Sequence, residues 1–459
     1  MQPDSVRYFL IKDTGIKRKE RRGFPLKNME EKVIKIALLG LGTVGYGTYK
    51  VLKSQEPEME KKIGARLEIK KILVRNVEKA AARVEDPSLV TDSWEEILED
   101  PEIEIVAELM GGLEPAGTYI EQALQAGKHV VTANKDLLAA NHGKLLDLAG
   151  EKKCDLLFEA AVAGAIPVIT PLKQSLAANH LDEIMGIVNG TTNFILTKMT
   201  QDGMEFSEAL ALAAELGYAE ADPTADIEGL DAGRKVAILA SIAYNSRVSF
   251  EDVYTEGITK ITARDMKYAR EMGCVIKLIG MSRYDGEKIE AYVAPMLIPQ
   301  SHPLASVNDA YNAVFVHGDA VGDAMFFGKG AGELPTASAV AGDLFEIARN
   351  ILHGCCGRIA CTCYKHLPVR PMKEVKSRYF LRILVEDRSG VLAELAAVFA
   401  QFKVSVEQVM QKKKQSEWAE LVIITEEVKE GDMEQALQSI RCKSCTREIS
   451  SVIRAYGEK

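Results

Sequence analysis

A chain of 459 residues, 47% hydrophobic and 27% charged, has room for about three globular domains, each with its own core. Its net charge of −9 argues against general nucleic-acid binding, and no apolar run is long enough to span a bilayer. Eight cysteines in so long a chain, without a secretory signal pattern, do not suggest a disulfide framework, so a reducing, cytoplasmic setting is expected.

Residues 1–30 are rich in Lys and Arg, lack a helical stripe and are expected to be a disordered extension, with Met29 as a natural start. Ile34 to Leu39 (IKIALL) then reads as a buried strand running into Gly40-Leu41-Gly42-Thr43-Val44-Gly45 and a helix through Leu52. Gly40 and Gly42 permit a tight turn and close backbone approach, and Gly45 lets helix and strand pack. The free N–H groups at Thr43 and Val44 offer a site for a pyrophosphate. Residues 31–150 are therefore expected to be a Rossmann-like dinucleotide-binding domain. Its next strand, Leu67 to Val74, ends in Arg75-Asn76 with Lys79 nearby, where a carboxylate would hold an adenosine ribose. Arg75 suits a 2′-phosphate, which favours NADP(H) and leaves NAD(H) open. A strand at Ile103 to Leu109, Met110-Gly111-Gly112, a helix from Pro115 through Ala126 and a strand at His129 to Thr132 follow. That last strand ends in Thr132-Ala133-Asn134-Lys135 before a helix from Asp136 to Ala149. Ligands of open α/β sheets lie beyond the carboxyl ends of the strands, which delivers Lys135 to the cofactor crevice.

From Cys154 the character changes, and residues 151–324 are expected to form an α+β substrate and dimerisation domain, with helices from about 325–360 packing back onto the first. Its strands look too few for a large sheet, in keeping with pairing across a subunit interface. Glu159 to Pro167 (EAAVAGAIP) is a small-residue turn whose backbone carbonyls suit a monovalent cation. Gly186 to Asn193 closes a strand and begins a helix, where the amides of Gly190 and Thr191 and the Thr191 hydroxyl are candidates to receive a substrate carboxylate. Helices from Ser207 to Leu216 and Leu230 to Ala243 flank an acidic loop. In Leu216 to Ala240 (LGYAEADPTADIEGLDAGRKVAILA), five carboxylates precede or open an apolar helix. Asp231 and Lys235, four residues apart, share one helix face. Lys235 is a candidate proton donor, and Glu220, Asp226 and Asp231 are candidates to grip a cationic amino group. The plain alternative is a solvated helix start with a surface ion pair.

Metal-capable residues cluster at His353, Cys355, Cys356, Cys361, Cys363 and His366, but their spacing matches neither paired CxxC knuckles nor a zinc finger, so reduced thiols near a domain junction are expected. Cys442 and Cys445 supply only half a tetrahedral site. Residues 366–376, with Pro368, Pro371 and a charged run, read as a linker. Strands and helices then alternate as βαββαβ over 377–459, a ferredoxin-like module expected to stand apart.

GLGTVG, TANK, EAAVAGAIP, GIVNGTTNFIL, LGYAEADPTADIEGLDAGRK and GKGAGELPTASAV, in this order between Ile34 and Asp343, together resemble homoserine dehydrogenase. The resemblance implies reduction of L-aspartate 4-semialdehyde to L-homoserine with NADPH or NADH, on the route to threonine, methionine and isoleucine. It implies that Lys135 and Lys235 are the essential lysines, with Lys235 the preferred proton donor. Glu220 would bind the substrate amino group, Asp231 would orient the site, and Gly190, Thr191, Tyr218 and Asp226 would line it. The carbonyls of Glu159, Val162, Gly164 and Ile166 match the family's sodium loop. Gly217 and the Gly328 to Gly332 segment, including Gly330, would close over the nicotinamide. A homodimer is implied as well. The C-terminal module, with VEDRSGVL in its first turn, resembles an ACT domain, which implies amino-acid feedback, by threonine in the first instance. The alternatives are another NADP-linked aldehyde reductase of amino-acid metabolism and a cofactor-binding regulatory protein without turnover. An aspartate-semialdehyde dehydrogenase is disfavoured because Cys154 ends no glycine-framed turn at a helix start.

Overall fold

The computed structural model describes residues 32–359, 361–412 and 418–457; the extension expected at 1–30 lies outside them. Short apolar strands alternating with helices build the first layer. Val33–Leu39 (β1), Arg66–Leu73 (β2), Val90–Thr91 (β3), Ile103–Glu108 (β4), His129–Thr132 (β5) and Leu156–Leu157 (β6) form one parallel sheet in the order β3-β2-β1-β4-β5-β6. The order reverses between β1 and β4, so the carboxyl end of β1 opens onto a crevice. Ile34, Ile36 and Leu38 of β1 enter one core and Ala37 and Leu39 the other, because alternate strand side chains point to opposite faces.

The helix after the glycine turn spans Thr43–Ile63 and passes through Pro57, well beyond the end expected at Leu52. Proline and the charges around it signal a stop, yet Met59 and Ile63 are buried, and their packing carries the helix on to Gly64, whose φ of 87° ends it. The Glu333–His353 helix lies across it, with Val340, Leu344 and Ile347 in the same core as Ile36 and Leu38. The crossing is close: a Cβ at Gly47 would stand 2.6 Å from the Glu333 carbonyl oxygen.

The second layer departs from expectation. Leu181–Ile187 (β7), Tyr254–Thr255 (β8), Cys274–Tyr284 (β9), Ile289–Pro299 (β10), Tyr311–Gly318 (β11) and Gly322–Lys329 (β12) precede the linker. Lys376–Glu386 (β13), Val406–Lys412 (β14), Trp418–Thr425 (β15), Val428–Lys429 (β16) and Thr446–Ala455 (β17) follow it. They join in one sheet with the path β12-β11-β7-β9-β10-β17-β13-β15-β14, β8 pairing with β10 and β16 with β13. The substrate region is therefore not short of strands, and the C-terminal part does not stand apart. β10 and β17 pair in parallel through Met296–Arg454 and Leu297–Ala455. Without β17, the edge of β10 at Met296 and Leu297 would offer unpaired backbone groups beside buried side chains. The linker is stitched down too: Ile289 N donates to Pro368 O (3.0 Å) and Arg370 N to Ile289 O (2.7 Å).

Within the C-terminal part, β13, the Val391–Gln401 helix, β14, β15, the Glu430–Arg441 helix and β17 follow the βαββαβ order, around Leu381, Ile383, Leu395, Phe399, Leu421 and Leu437. Buried Arg382 crosses to the substrate region, its Nε on Asp265 (2.9 Å) while its Nη1 holds Glu420 (3.0 Å). Such a group is expensive to leave half-paired, so it favours one docked arrangement of the two parts.

Candidate active site

The glycine turn leaves room for a dinucleotide. Gly40 has φ of 100°, and a Cβ at Gly45 would lie 2.1 Å from the Gly40 carbonyl oxygen, so the turn and the first helical turn touch. A Cβ at Gly42 would meet nothing within 4 Å, which leaves that face open to a pyrophosphate beside the amides of Thr43 and Val44. Arg83 stacks over the Tyr46 ring (4.0 Å) and donates to Leu41 O (3.0 Å), bracing the turn. Arg75 is exposed just past β2, and Asn76 beside it caps the Val77–Ala81 helix.

Buried Glu108, which sequence reasoning missed, organises the neighbouring strand ends. It accepts from Met110 N (2.9 Å), Gly111 N (3.1 Å) and the Thr132 hydroxyl (2.6 Å). Asn134 donates to Gly112 O (2.7 Å) and caps the helix that starts at Lys135. The loops after β4 and β5 are thereby locked together, with Lys135 at their mouth.

Lys135 faces a cleft of about 620 Å3 whose walls come from both regions: Gly112, Leu113, Lys135 and Asp136 on one side, Glu220, Asp222, Asp226, Asp231 and Arg234 on the other. The walls meet through two ion pairs, Lys135 Nζ with Asp231 Oδ1 (3.2 Å) and Arg234 Nε with Asp136 Oδ1 (3.0 Å). Lys235 Nζ holds the other oxygen of Asp231 (2.7 Å) and donates to Val188 O (2.6 Å). Two ammonium groups from separate lobes thus share one carboxylate. Burial opposes ionisation of Asp231, but Lys235, Lys135 and a hydrogen bond from Asn189 outweigh it and hold the carboxyl far below its usual range. Burial opposes the charge on Lys135 as well, and Asp231 and Asp136 more than restore it, so its ammonium form is favoured.

The two lysines are not equivalent. The Lys135 side chain is 35% exposed and lines the cleft, whereas Lys235 is 11% exposed and reaches the cleft wall through its bond to Asp231. Asn189, also missed, explains the carboxylate spacing: its Nδ2 donates to both Asp226 (2.6 Å) and Asp231 (2.9 Å), and its Oδ1 caps the Gly190–Gln201 helix. An Asn before Gly at a strand-to-helix junction is a legible cap, but its second role depends on tertiary contacts. Gly190 is pressed against Ala310, whose carbonyl oxygen a Cβ would approach to 2.9 Å. The Thr191 hydroxyl donates to Tyr218 O (2.8 Å), beside the amides of Gly190 and Thr191 at the helix start. Tyr218 is exposed with its ring on Phe194 (4.7 Å), Gly217 beside it has φ of 76°, and Glu220 stands exposed at the rim.

The Glu159 to Ile166 loop is buried almost throughout and turns through two left-handed residues, Ala163 and Gly164, both at φ of 55°. A Cβ at Gly164 would stand 2.3 Å from Gly330 O, and one at Gly330 would strike the Asn312 amide at 1.9 Å. Gly332 (φ 127°) then begins the helix whose Glu333 pairs with Lys50, which sets the Gly330–Gly332 segment beside the glycine turn. The Glu159 side chain has its own task, accepting from the amides of Val168 (2.6 Å), Ile169 (2.7 Å) and Thr170 (2.8 Å). Asp343 accepts from Glu159 N (2.8 Å); burial, and then the Glu159 charge, push its carboxyl well above the usual range. A raised folded value means that its contribution to stability is full below about pH 4 and is lost as pH rises toward the folded value. Asp343→Asn keeps the acceptor and removes the charge, so its melting temperature should gain on the parent's as pH rises above about 4. A pH-independent difference in thermal melts would contradict this.

The cysteine-histidine cluster does not converge. Among the described residues, one potential metal-ligand group includes a member of it: Cys356, with His129 and Asp155. Two of those donors are already committed. His129 Nδ1 accepts from Asp155 N (3.0 Å), placing the neutral ring's proton on Nε2, and the Asp155 carboxylate accepts from Asn350 Nδ2 (3.0 Å) and Gly357 N (2.8 Å). Burial pushes the Cys356 thiol up to about 11. The group reads as a clasp that ties the end of the Glu333–His353 helix to β5 and β6. A larger cleft of about 800 Å3 lies between β9, β10 and the C-terminal strands. None of its lining comes from the nucleotide-binding half, and its charges largely answer one another, as in Arg370 with Asp285 and Glu290 and Lys288 with Glu374.

A parallel sheet with a glycine turn at its switch point, facing a carboxylate-lysine cleft, defines a nicotinamide-nucleotide-dependent oxidoreductase, here with a ferredoxin-like domain built onto its substrate half. Comparison with known proteins makes the class specific. Residues 40–159 match the family described as homoserine dehydrogenase, NAD binding domain, residues 167–345 match homoserine dehydrogenase, and residues 379–441 match the ACT domain. The chain is 41% identical to homoserine dehydrogenase of Bacillus subtilis, covering 93% of this chain and 99% of that one. It is 45% identical to that of Corynebacterium glutamicum over 91% and 95%. A crystal structure of a homoserine dehydrogenase from Thiobacillus denitrificans superposes with a TM-score of 0.88 at 40% identity, over 93% and 99% of the two chains. The chain belongs to the homoserine dehydrogenase family, with an ACT domain at its C-terminal side. Among the described residues, no helix is long and apolar enough to cross a membrane.

Proposed function

We propose that the cleft reduces L-aspartate 4-semialdehyde to L-homoserine with NADPH, NADH being the lesser alternative, on the route to threonine, methionine and isoleucine. The observation that carries this is the meeting of Lys135 and Lys235, from separate lobes, on the two oxygens of Asp231. The nicotinamide supplies the hydride when bound. As the aldehyde carbon is reduced, negative charge builds on its oxygen, and fixed ammonium groups there stabilise it. Lys235 has three N–H donors, of which Val188 O and Asp231 take two; the third serves the substrate oxygen and passes the proton. Lys135 holds a second positive charge at the mouth of the cofactor crevice. Asp231 holds both ammonium groups in place. Glu220 and Asp226 bind the substrate's amino group, the amides of Gly190 and Thr191 at a helix start take its carboxylate, and Tyr218 covers one side.

Arg75, exposed past β2 where no carboxylate stands, supports preference for a 2′-phosphate. Arg75→Ala should raise KM for NADPH about tenfold and leave KM for NADH unchanged, whereas an equal rise for both would restrict Arg75 to the adenine face. A hyperthermophilic archaeal homoserine dehydrogenase, 27% identical with a TM-score of 0.59, is known in complex with NADPH. The left-handed turn at Ala163-Gly164 supports a sodium site at the carbonyls of Glu159, Val162, Gly164 and Ile166. β12 ends the long sheet with Met325 and Phe327 exposed, an edge suited to a second copy of the chain and hence to a homodimer. The ACT domain supports feedback by an amino acid, threonine in our reading, and unlinked thiols suit a cytoplasmic enzyme.

The deciding experiment follows oxidation of NADPH on addition of L-aspartate 4-semialdehyde, with homoserine identified as product, then repeats it with threonine and with sodium varied. Turnover restrained by threonine is expected. Absence of oxidation with either nucleotide would overturn the reading.

A further inference from the structure

We propose that Arg454, on the last strand of the ACT domain, is a positioning residue for the substrate-facing carboxylates of the catalytic cleft. Its guanidinium is buried, 4% exposed, and already has a complete partner within its own domain: Nη2 lies 2.9 Å from each oxygen of Glu430, the first residue of the Glu430–Arg441 helix. The Tyr379 hydroxyl donates to the same Glu430 carboxylate (2.5 Å). Nη1 nevertheless reaches out of the domain to Glu256 Oε2 (2.5 Å), and the guanidinium covers the Tyr254 ring at 5.4 Å.

Glu256 belongs to the segment on which the acidic loop rests. Its own N–H is tied to Val293 O of β10 (2.8 Å), and two residues on Ile258 N donates to Ile227 O (2.8 Å). A Cβ at Gly257 would stand 2.1 Å from Ile227 O and 2.5 Å from Glu228 Cα, so backbone lies directly on backbone. A Cβ at Gly229 would lie 3.4 Å from Glu256 O, and Gly229 is the left-handed residue that launches the Leu230–Ala243 helix. Asp226 precedes Ile227 in the Thr224–Ile227 turn of helix and Asp231 opens the next helix, both held by Asn189. The backbone that carries both carboxylates therefore sits on residues 256–258, which Arg454 pins to the ACT domain. Because packed backbone shifts as a unit, loss of the pin moves the substrate-binding carboxylates while leaving the glycine turn, on the other lobe, undisturbed. The same route gives a change at the start of the Glu430–Arg441 helix a short path to the cleft.

The inference rests on the reading of Asp226 and Asp231 as substrate-facing groups. The test compares Glu256→Gln, Arg454→Lys and Arg454→Met in the full chain, measuring KM for L-aspartate 4-semialdehyde, kcat, the Kd for NADPH and thermal melting. Glu256→Gln and Arg454→Met should raise the aldehyde KM about tenfold, with NADPH affinity within about twofold, and Arg454→Lys should recover part of the loss. A purely structural role would lower the melting temperature and leave KM alone. Should Arg454→Met not fold, Glu256→Gln, close in size and shape, decides by itself. An unchanged aldehyde KM in folded Glu256→Gln, or an equal rise in the NADPH constant, overturns the proposal. Asp226→Asn separates the two readings: an unchanged aldehyde KM there removes the underlying assignment, whereas a raised one, with Glu256→Gln unaffected, removes only the role of Arg454.

Discussion

Lys235→Ala is expected to lower kcat for aldehyde reduction by about 10²- to 10⁴-fold, equivalent to about 3–5.5 kcal/mol of transition-state stabilisation, while the Kd for NADPH stays close to the parent's. The separation follows from position. Lys235 lies on the Leu230–Ala243 helix of the substrate lobe, away from the glycine turn, and its bonds are to Asp231 and Val188. The protein should still fold, because Asp231 keeps Lys135 and Asn189 as partners and is not left as a lone buried charge. The pH dependence should change as well. The depressed carboxyl of Asp231 contributes stability above its unfolded value, near pH 4, and loses it only as pH falls through the lower folded value. Lys235 is the strongest of the groups that depress it, so the variant should lose stability on acidification at a higher pH than the parent. Steady-state assays, nucleotide titration and acid melts check these points. Undiminished kcat would take Lys235 out of the proton transfer and turn attention to Lys135, the lysine that lines the cleft.

Gly45→Ala should act on the opposite lobe. The added methyl would lie 2.1 Å from the Gly40 carbonyl oxygen, a backbone atom that can move only if the whole turn from Gly40 to Gly45 opens. A displacement on the order of 1 Å in the cradle for a pyrophosphate is worth about 100-fold, so the Kd for NADPH should rise by about that factor. The aldehyde site is on other elements and should be spared, and the melting temperature should fall by less than a core truncation would cause. Fluorescence titration with NADPH measures the effect. Parental affinity in this variant would show that the turn does not hold the dinucleotide.

Particular residues show where sequence reasoning reached and where it stopped. The glycine turn at Gly40–Gly45, the strand His129–Thr132 and the helix Leu230–Ala243 were readable because each is encoded by neighbours a few positions apart. The Asp231–Lys235 bond is a contact of the same local kind, four residues apart on one helix. The helix past Leu52 was not readable, because Pro57 and its charged neighbours say stop, while Met59 and Ile63 are held by the body of the domain. Nor was Glu108 readable as the residue that locks two loops, since a carboxylate at a strand end looks the same whether it faces water or backbone amides.

By itself, the sequence determined the dinucleotide turn, the helix carrying Asp231 and Lys235 and the βαββαβ order at the C-terminal end, which follow from periodicity and short-range chemistry, and its motifs carried the family resemblance. Only the tertiary structure decided that Lys135 meets Asp231 across the cleft, that Asn189 spaces two carboxylates, and that β10 and β17 join two domains in one sheet. The reason is physical: those contacts link residues far apart in the chain, and their formation depends on the packing of whole layers, which no local pattern records.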